Sequence, residues 1–202
     1  MNARAAVGMP RPDSGPAPTR VVVAYGFWIF LLSDIIMFSA LFAAYAVLYR
    51  QTAGGPSGHD LFDLRHVAIE TMSLLFSSYA CGLGLLAVER RRLSAFYFYF
   101  ALTFALGATF LGLELGEFST MLAHGAGPSR SAFLSAFFSL VGLHGLHVSA
   151  GLLWLVFMVA QTAYRGPRDF VRRRLLCFSL FWHALDIIWV ALMSMVYLMG
   201  AR

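Results

Sequence analysis

The sequence predicts an all-α polytopic membrane protein, a bundle of five transmembrane helices. Three observations predict it. Hydrophobic residues make up 59% of the 202 and charged residues 12%, where soluble domains carry about 45–50% and about 25%. The mean hydropathy is +0.72. The apolar residues fall into five long runs, each near or above the roughly 20 residues that one helical crossing needs. A chain this short could not bury so much apolar surface in a core of its own, so the bilayer must act as its solvent.

Residues 1–20 are polar and hold Pro10, Pro12, Pro16 and Pro18, which reads as a flexible tail. The apolar run that follows is too long for a signal-peptide core and lacks a clear cleavage site, so it is expected to stay as a helix. The first span is expected at about 24–49. Gly54, Gly55, Pro56 and Gly58 mark the loop after it. The second span, about 66–88, meets the third, about 94–121, through the tight turn Glu89-Arg90-Arg91-Arg92. Gly125-Ala126-Gly127-Pro128 leads into the fourth, about 131–163. Arg165, Gly166, Pro167, Arg168 and Asp169, with Arg172, Arg173 and Arg174, precede the fifth, about 172–199. The organisation is therefore a tail, 1–20, and one five-helix domain, 21–202. No internal repeat is visible, so inverted-repeat transporter folds gain no support.

All 15 basic residues are Arg. Eleven fall in the tail and in the second and fourth loops. The four on the other side are Arg50, Arg65, Arg130 and Arg202. The positive-inside rule then places the N-terminus in the cytoplasm and the C-terminus in the periplasm, and five spans agree with that parity. The net charge of +5 belongs to these loops and does not suggest nucleic acid. Cys81 and Cys177 fall in apolar segments and read as two buried thiols, not a disulfide framework. Gly112, Gly116, Gly142, Gly145, Ser135, Ser139 and Ser149 are small enough to let helices approach closely.

Six ionisable residues stand inside the spans as i, i+3 pairs: Glu114 and Glu117, His144 and His147, His183 and Asp186. Each pair shares a face of its helix. Each such group costs roughly 2.5–3.5 kcal/mol to place in lipid on insertion scales, so it must be hidden against protein or water. At about 1.5 Å per residue the two His positions of the fourth span and His183 and Asp186 of the fifth lie near mid-membrane, at one level. Glu114 and Glu117 lie nearer the outer face. Asp34 lies near the middle of the first span, and Glu70 about one turn inside the outer end of the second.

Three readings of these positions are open. Paired Glu and His on helices are ligands of carboxylate-bridged metal bundles, but those repeat Glu-x-x-His. The pairs here are Glu-x-x-Glu, His-x-x-His and His-x-x-Asp. A bis-His haem site could use His144, His147 or His183, with nothing to specify the pair. A chain of carboxylates and imidazoles could conduct protons. The structural reading is that a His nitrogen bonds a carboxyl on the next helix and sets register, at about 0.6 kcal/mol per interhelical bond. It needs the fewest assumptions. Trp154, Trp182 and Trp189 then read as packing or lipid-facing residues and Trp28 as an interface marker.

Four motifs carry a resemblance. Phe181-Trp182-His183-Ala184-Leu185-Asp186-Ile187-Ile188-Trp189-Val190 resembles the WHF-x-D-x-x-W signature in the last helix of haem–copper oxidase subunit III. Gly142-Leu143-His144-Gly145-Leu146-His147-Val148 resembles its G-x-HGLHV signature, and Glu114-Leu115-Gly116-Glu117-Phe118 its E-x-x-E segment. Ser33-Asp34-Ile35-Ile36-Met37-Phe38 is similar to the segment with the family's buried acidic residue, Glu in most cytochrome c oxidases and Asp34 here. The resemblance runs from about Gly26 to Gly200. The stretches 52–58 and 127–138 are similar to the quinol-oxidase branch of cytochrome bo type, whose five-span length also fits.

The resemblance implies an accessory, non-catalytic subunit of a proton-pumping ubiquinol oxidase in a bacterial inner membrane. It implies that haem b, haem o and copper belong to the catalytic subunit I and none to this chain. The implied partners are subunit I, subunit II, a small subunit IV and membrane lipids, with phospholipid held between helices. It also implies that Asp34 is the family's buried acidic residue. On this reading Glu114, Glu117, His144, His147, His183 and Asp186 form an interhelical polar cluster. The alternatives are a short subunit III of a cytochrome c oxidase and, in another class, a stand-alone membrane metalloenzyme or a proton-coupled transporter.

Overall fold

A computed structural model describes residues 19–54, 64–166 and 168–197. Nearly all of the expected tail lies outside these residues, as do Gly55, Pro56, Gly58, Pro167 and Arg202. The five apolar runs form five helices: α1 (Thr19–Leu48), α2 (Leu64–Glu89), α3 (Leu93–Ala123), α4 (Ala132–Arg165) and α5 (Asp169–Leu192). All five are long and apolar enough to cross a membrane, and no strand occurs among the described residues.

The helices outlast the apolar runs at most of their ends. Extending a formed helix adds one hydrogen bond per residue fixed, so polar residues at the ends join it. α5 starts at Asp169, three residues earlier than the sequence suggests. That puts a carboxylate in its first turn, where the helix dipole favours it. Ser131 caps α4 by accepting a hydrogen bond from the Leu134 amide at 3.2 Å. Gly166 stops α4 at φ 69°, a left-handed conformation that glycine adopts without strain. The last span is not one straight α-helix. It passes into a π-turn, Met193–Tyr197, whose wider winding carries Val196 and Tyr197 into the interior.

α2 and α3 pack side by side as a hairpin. α5 packs against α4, α2 and α1, while α1 leans on α4 and α5. Helices α2 to α5 thus form a four-helix core, with α1 against its outside. The centre is aromatic: Phe96, Phe100, Phe110, Phe178, Trp182 and Trp189 are all buried. Two tryptophans bond across to α2. Trp182 Nε1 donates to Ser77 Oγ and Trp189 Nε1 to Thr71 Oγ1, both at 3.0 Å. Both thiols, Cys81 and Cys177, are free and buried.

Small residues matter at positions other than most of those expected. A Cβ on Gly84 would stand 2.5 Å from the Phe100 ring, and one on Gly151 2.8 Å from Trp182. A Cβ on Gly107 would stand 3.0 Å from both Leu152 and Trp182. Of the expected glycines, Gly145 is at a close contact, Gly142 at an ordinary one, and Gly112 and Gly116 face open space. A small residue permits close approach, but the large residue opposite decides where the approach happens.

Candidate functional site

A buried polar group lies at the arginine-poor end of the bundle. Glu114 projects from α3 against Gly145 of α4, so closely that a Cβ there would be 2.9 Å from its carboxyl. Glu70 of α2 and Glu117 of α3 lie within electrostatic reach of it and of the Tyr197 hydroxyl. That hydroxyl donates to Glu117 Oε2 at 3.3 Å. His66 Nε2 approaches Glu70 Oε1 to 4.0 Å. Glu70 and Glu114 are buried, and none of their carboxyl oxygens has a hydrogen-bond partner among the described residues.

His144 of α4 is also fully buried. Its ring stacks on Trp189 at 5.2 Å and meets Phe110 and Phe38 edge-on. Neither ring nitrogen has a hydrogen-bond partner among the described residues. It stands among aromatic rings, with His147 one turn along the same helix.

His147 faces α1. Its Nδ1 is 2.8 Å from the Leu143 carbonyl, which fits the tautomer with the proton on Nδ1. Nε2 then turns its lone pair to Asp34 Oδ2, 3.9 Å away. Phe38 packs over the ring at 5.3 Å. Asp34 and His147 thus face each other across α1 and α4, an ion pair only when the imidazole is protonated.

His183 and Asp186 form a third group, between α5 and α2. His183 Nδ1 is 2.7 Å from the Ser179 carbonyl, and its Nε2 lies beside Gly82 of α2. Asp186 sits by Ser78 and His183. The His183 side chain is exposed on this chain.

The six paired residues thus lie in three places. Glu114, Glu117 and His144 share the interior near Trp189 and Tyr197. His147 meets Asp34 on α1, and His183 with Asp186 faces α2. The reason is angular. Two residues three apart on a helix share a face but point about 60° apart, enough to enter different interhelical spaces, as His144 and His147 do.

Two members of the interior group are absent from the pairs that the sequence displays. Glu70 had a readable signal. It stands six residues into α2, and Glu117 stands six residues before the end of α3, so the two are level across the hairpin. Tyr197 had none, because the π-turn that aims it leaves no mark in hydropathy. Carboxyls, a phenol and an imidazole can hold protons and accept hydrogen bonds. Among the described residues no group of three or more His, Cys, Asp or Glu is placed to hold a metal ion.

Residues 17–201 match the family described as Cytochrome c oxidase subunit III. The chain is 51% identical to "Cytochrome bo(3) ubiquinol oxidase subunit 3" of Pseudomonas aeruginosa, over 88% of this chain and 85% of that one. It is 41% identical to "Quinol oxidase subunit 3" of Bacillus subtilis, over 87% and 86%. It is 40% identical to "Cytochrome c oxidase subunit 3" of Bacillus sp. strain PS3, over 87% and 84%.

Proposed function

The chain belongs to the cytochrome c oxidase subunit III family, and on that premise we propose that it supports the assembly, stability and lipid contacts of a terminal ubiquinol oxidase as its accessory, non-catalytic subunit. The observation that carries the reading is the 51% identity, over 88% of the chain, to a relative named as a ubiquinol oxidase subunit 3. The chain is a multi-pass membrane protein. Its partners are other oxidase subunits: a catalytic subunit I holding haem b, haem o and copper, a subunit II and a small subunit IV. The membrane is the bacterial inner membrane. The arginine-rich end faces the cytoplasm, as the distribution of Arg between the two sides favours.

Within that reading the buried polar residues position helices. Asp34 and His147 tie α1, the least buried helix, to α4, and Asp34 is the group through which the chain meets lipid or protons. Trp182 with Ser77 and Trp189 with Thr71 tie α5 to α2. Asp34→Asn in the assembled oxidase is expected to shorten enzyme lifetime under turnover, or to lower the number of protons pumped per electron. If pumping, assembly and lifetime all stay at the wild-type level, Asp34 has no such role.

The decisive test is purification through a tag on this chain in mild detergent, with a redox difference spectrum and a ubiquinol oxidation assay. Co-purified b- and o-type haem with quinol-dependent oxygen uptake is the expected result. A haem-free chain from membranes that contain the oxidase overturns the reading. The 40% identity to a cytochrome c oxidase subunit 3 favours a second reading, the same role in an oxidase fed by cytochrome c. The electron donor decides between them.

A further inference from the structure

At the arginine-poor end the polar groups of the interior are ordered by depth. His66 stands in the first turn of α2 with its side chain 44% exposed. Glu70, one turn further on the same face of α2, has none of its surface exposed. On α3, Glu117 is level with Glu70, and Glu114 is buried one turn deeper. At 1.5 Å per residue, Glu70 lies about 9 Å and Glu114 about 14 Å inside the ends of their helices. Tyr197 reaches the same place from the π-turn. α1 contributes the Tyr45 hydroxyl, which donates to the Val196 carbonyl. α4 contributes His144, walled by Phe38, Phe110 and Trp189.

Glu70 and Glu114 raise a question of charge and a question of hydrogen bonds. All four of their carboxyl oxygens are enclosed and lack a hydrogen-bond partner among the described residues. The two lie within electrostatic reach of each other and of Glu117. Buried carboxylates that share a site do not all stay ionised; a proton removes the charge or a cation meets it. Among the described residues no three His, Cys, Asp or Glu are placed to hold a metal ion, which favours the proton. A protonated carboxyl then has an O–H to donate and a carbonyl oxygen to accept with. Where the protein offers no partner, ordered water supplies both.

The way in is His66. Its Nε2 is 4.0 Å from Glu70 Oε1, and a small swing of the half-exposed ring closes that gap to a hydrogen bond. An imidazole takes up a proton on one nitrogen and releases one from the other. His66 can therefore carry a proton from surface water to a carboxyl that has no exposed surface, and back. Around His144 the packing is aromatic, so the groups form an inlet from one face and not a path across the membrane.

We infer that Glu70 and Glu114 form a proton-binding site, with water bridging them to Glu117 and Tyr197, and that His66 exchanges its protons with the arginine-poor face. The site belongs to this chain alone and does not depend on the electron donor of the oxidase.

The test is infrared spectroscopy of the tagged complex in native lipid, wild type against Glu114→Gln and Glu70→Gln. The C=O stretch of a protonated carboxyl stands apart from the bands of a carboxylate and shifts on deuteration. The expected result is a protonated-carboxyl band that each variant loses, and that shifts in deuterated buffer before the buried helix amides exchange. Loss of carboxylate bands instead, in both variants, overturns the inference, because the groups are then charged and met by a cation. A protonated band that does not shift also overturns it, because the carboxyls are then dry and closed off.

A second variant keeps the test open if neither Gln variant assembles. His66 is half-exposed, so His66→Ala removes little packing. It is expected to slow deuteration of the band about tenfold to a hundredfold, no more than a positioned proton-transfer group typically contributes. Imidazole added to the buffer is expected to restore the rate, which a merely structural role for His66 would not allow. An unchanged rate in His66→Ala overturns the inlet.

Discussion

α1 and α5 are both apolar and both long enough to cross a membrane, with mean hydropathies of 2.2 and 1.9 over their most apolar windows. Yet 11% of that window is buried in α1 and 56% in α5. α5 sits at the centre and touches three other helices, whereas α1 rests on two and turns most of its side chains outward. In water the more apolar helix would be the more buried one. In a membrane lipid is as good a solvent for leucine as another helix is, so hydropathy selects what enters the bilayer and shape selects what is packed there. What distinguishes α5 is its two tryptophans, each with a hydroxyl partner on α2 and a cavity shaped to receive it.

The contrast can be broken most severely at a tryptophan. Trp182→Ala empties a fully enclosed site and leaves the Ser77 hydroxyl without its indole partner. We expect a loss of about 3–5 kcal/mol, read as a lower midpoint of thermal unfolding in detergent. Trp28→Ala on α1 removes the same side chain from an exposed position, and a change within about 0.5 kcal/mol is expected. Similar losses in both would mean that α1 is as firmly packed as α5.

Glycines give the next effect. On Gly151 an added Cβ must displace Trp182, and Gly151→Ala is expected to cost about 1–3 kcal/mol. Nothing lies within 4 Å of the corresponding position on Gly26 of α1. Gly26→Ala is expected to be neutral or to stabilise by up to about 1 kcal/mol, from the better helix propensity of alanine. A destabilising Gly26→Ala would reveal a neighbour packed on α1.

The smallest effect sharpens the comparison. Trp189→Phe keeps most of the ring and removes the bond to Thr71. The expected cost is about 0.6 kcal/mol, well below that of Trp182→Ala. If the two costs matched, hydrogen bonds and not packing would hold α5 in place.

Much of this molecule is legible in its sequence, unevenly. The five spans follow from length and hydropathy because the bilayer imposes both. The two buried thiols follow from their apolar surroundings. The polar pairs were visible because charge is scarce in such segments. Their partners were less so: His147 turned to Asp34 and His183 to the α2 side, while Glu114 met Glu70 and Tyr197. Helix spacing gives the direction of a side chain about its own axis and says nothing of which helix stands there. Gly112 and Gly116 teach the same lesson, since they have the spacing of a packing motif and face open space.

The sequence by itself determined that this chain has five segments long and apolar enough to cross a membrane, about where each lies, and that it carries the motifs of the subunit III family. Those are properties of single helices and of local residue order, fixed by hydropathy, span length and identity. Only the tertiary structure decided that α5 is central and α1 peripheral, that the ionisable residues divide among three interhelical spaces, and that a π-turn brings Tyr197 to Glu117. Each of these depends on how helices rotate and lean against one another. Lipid is indifferent to the rotation of an apolar helix, so that rotation is set by the fit of a few large side chains into a few small ones.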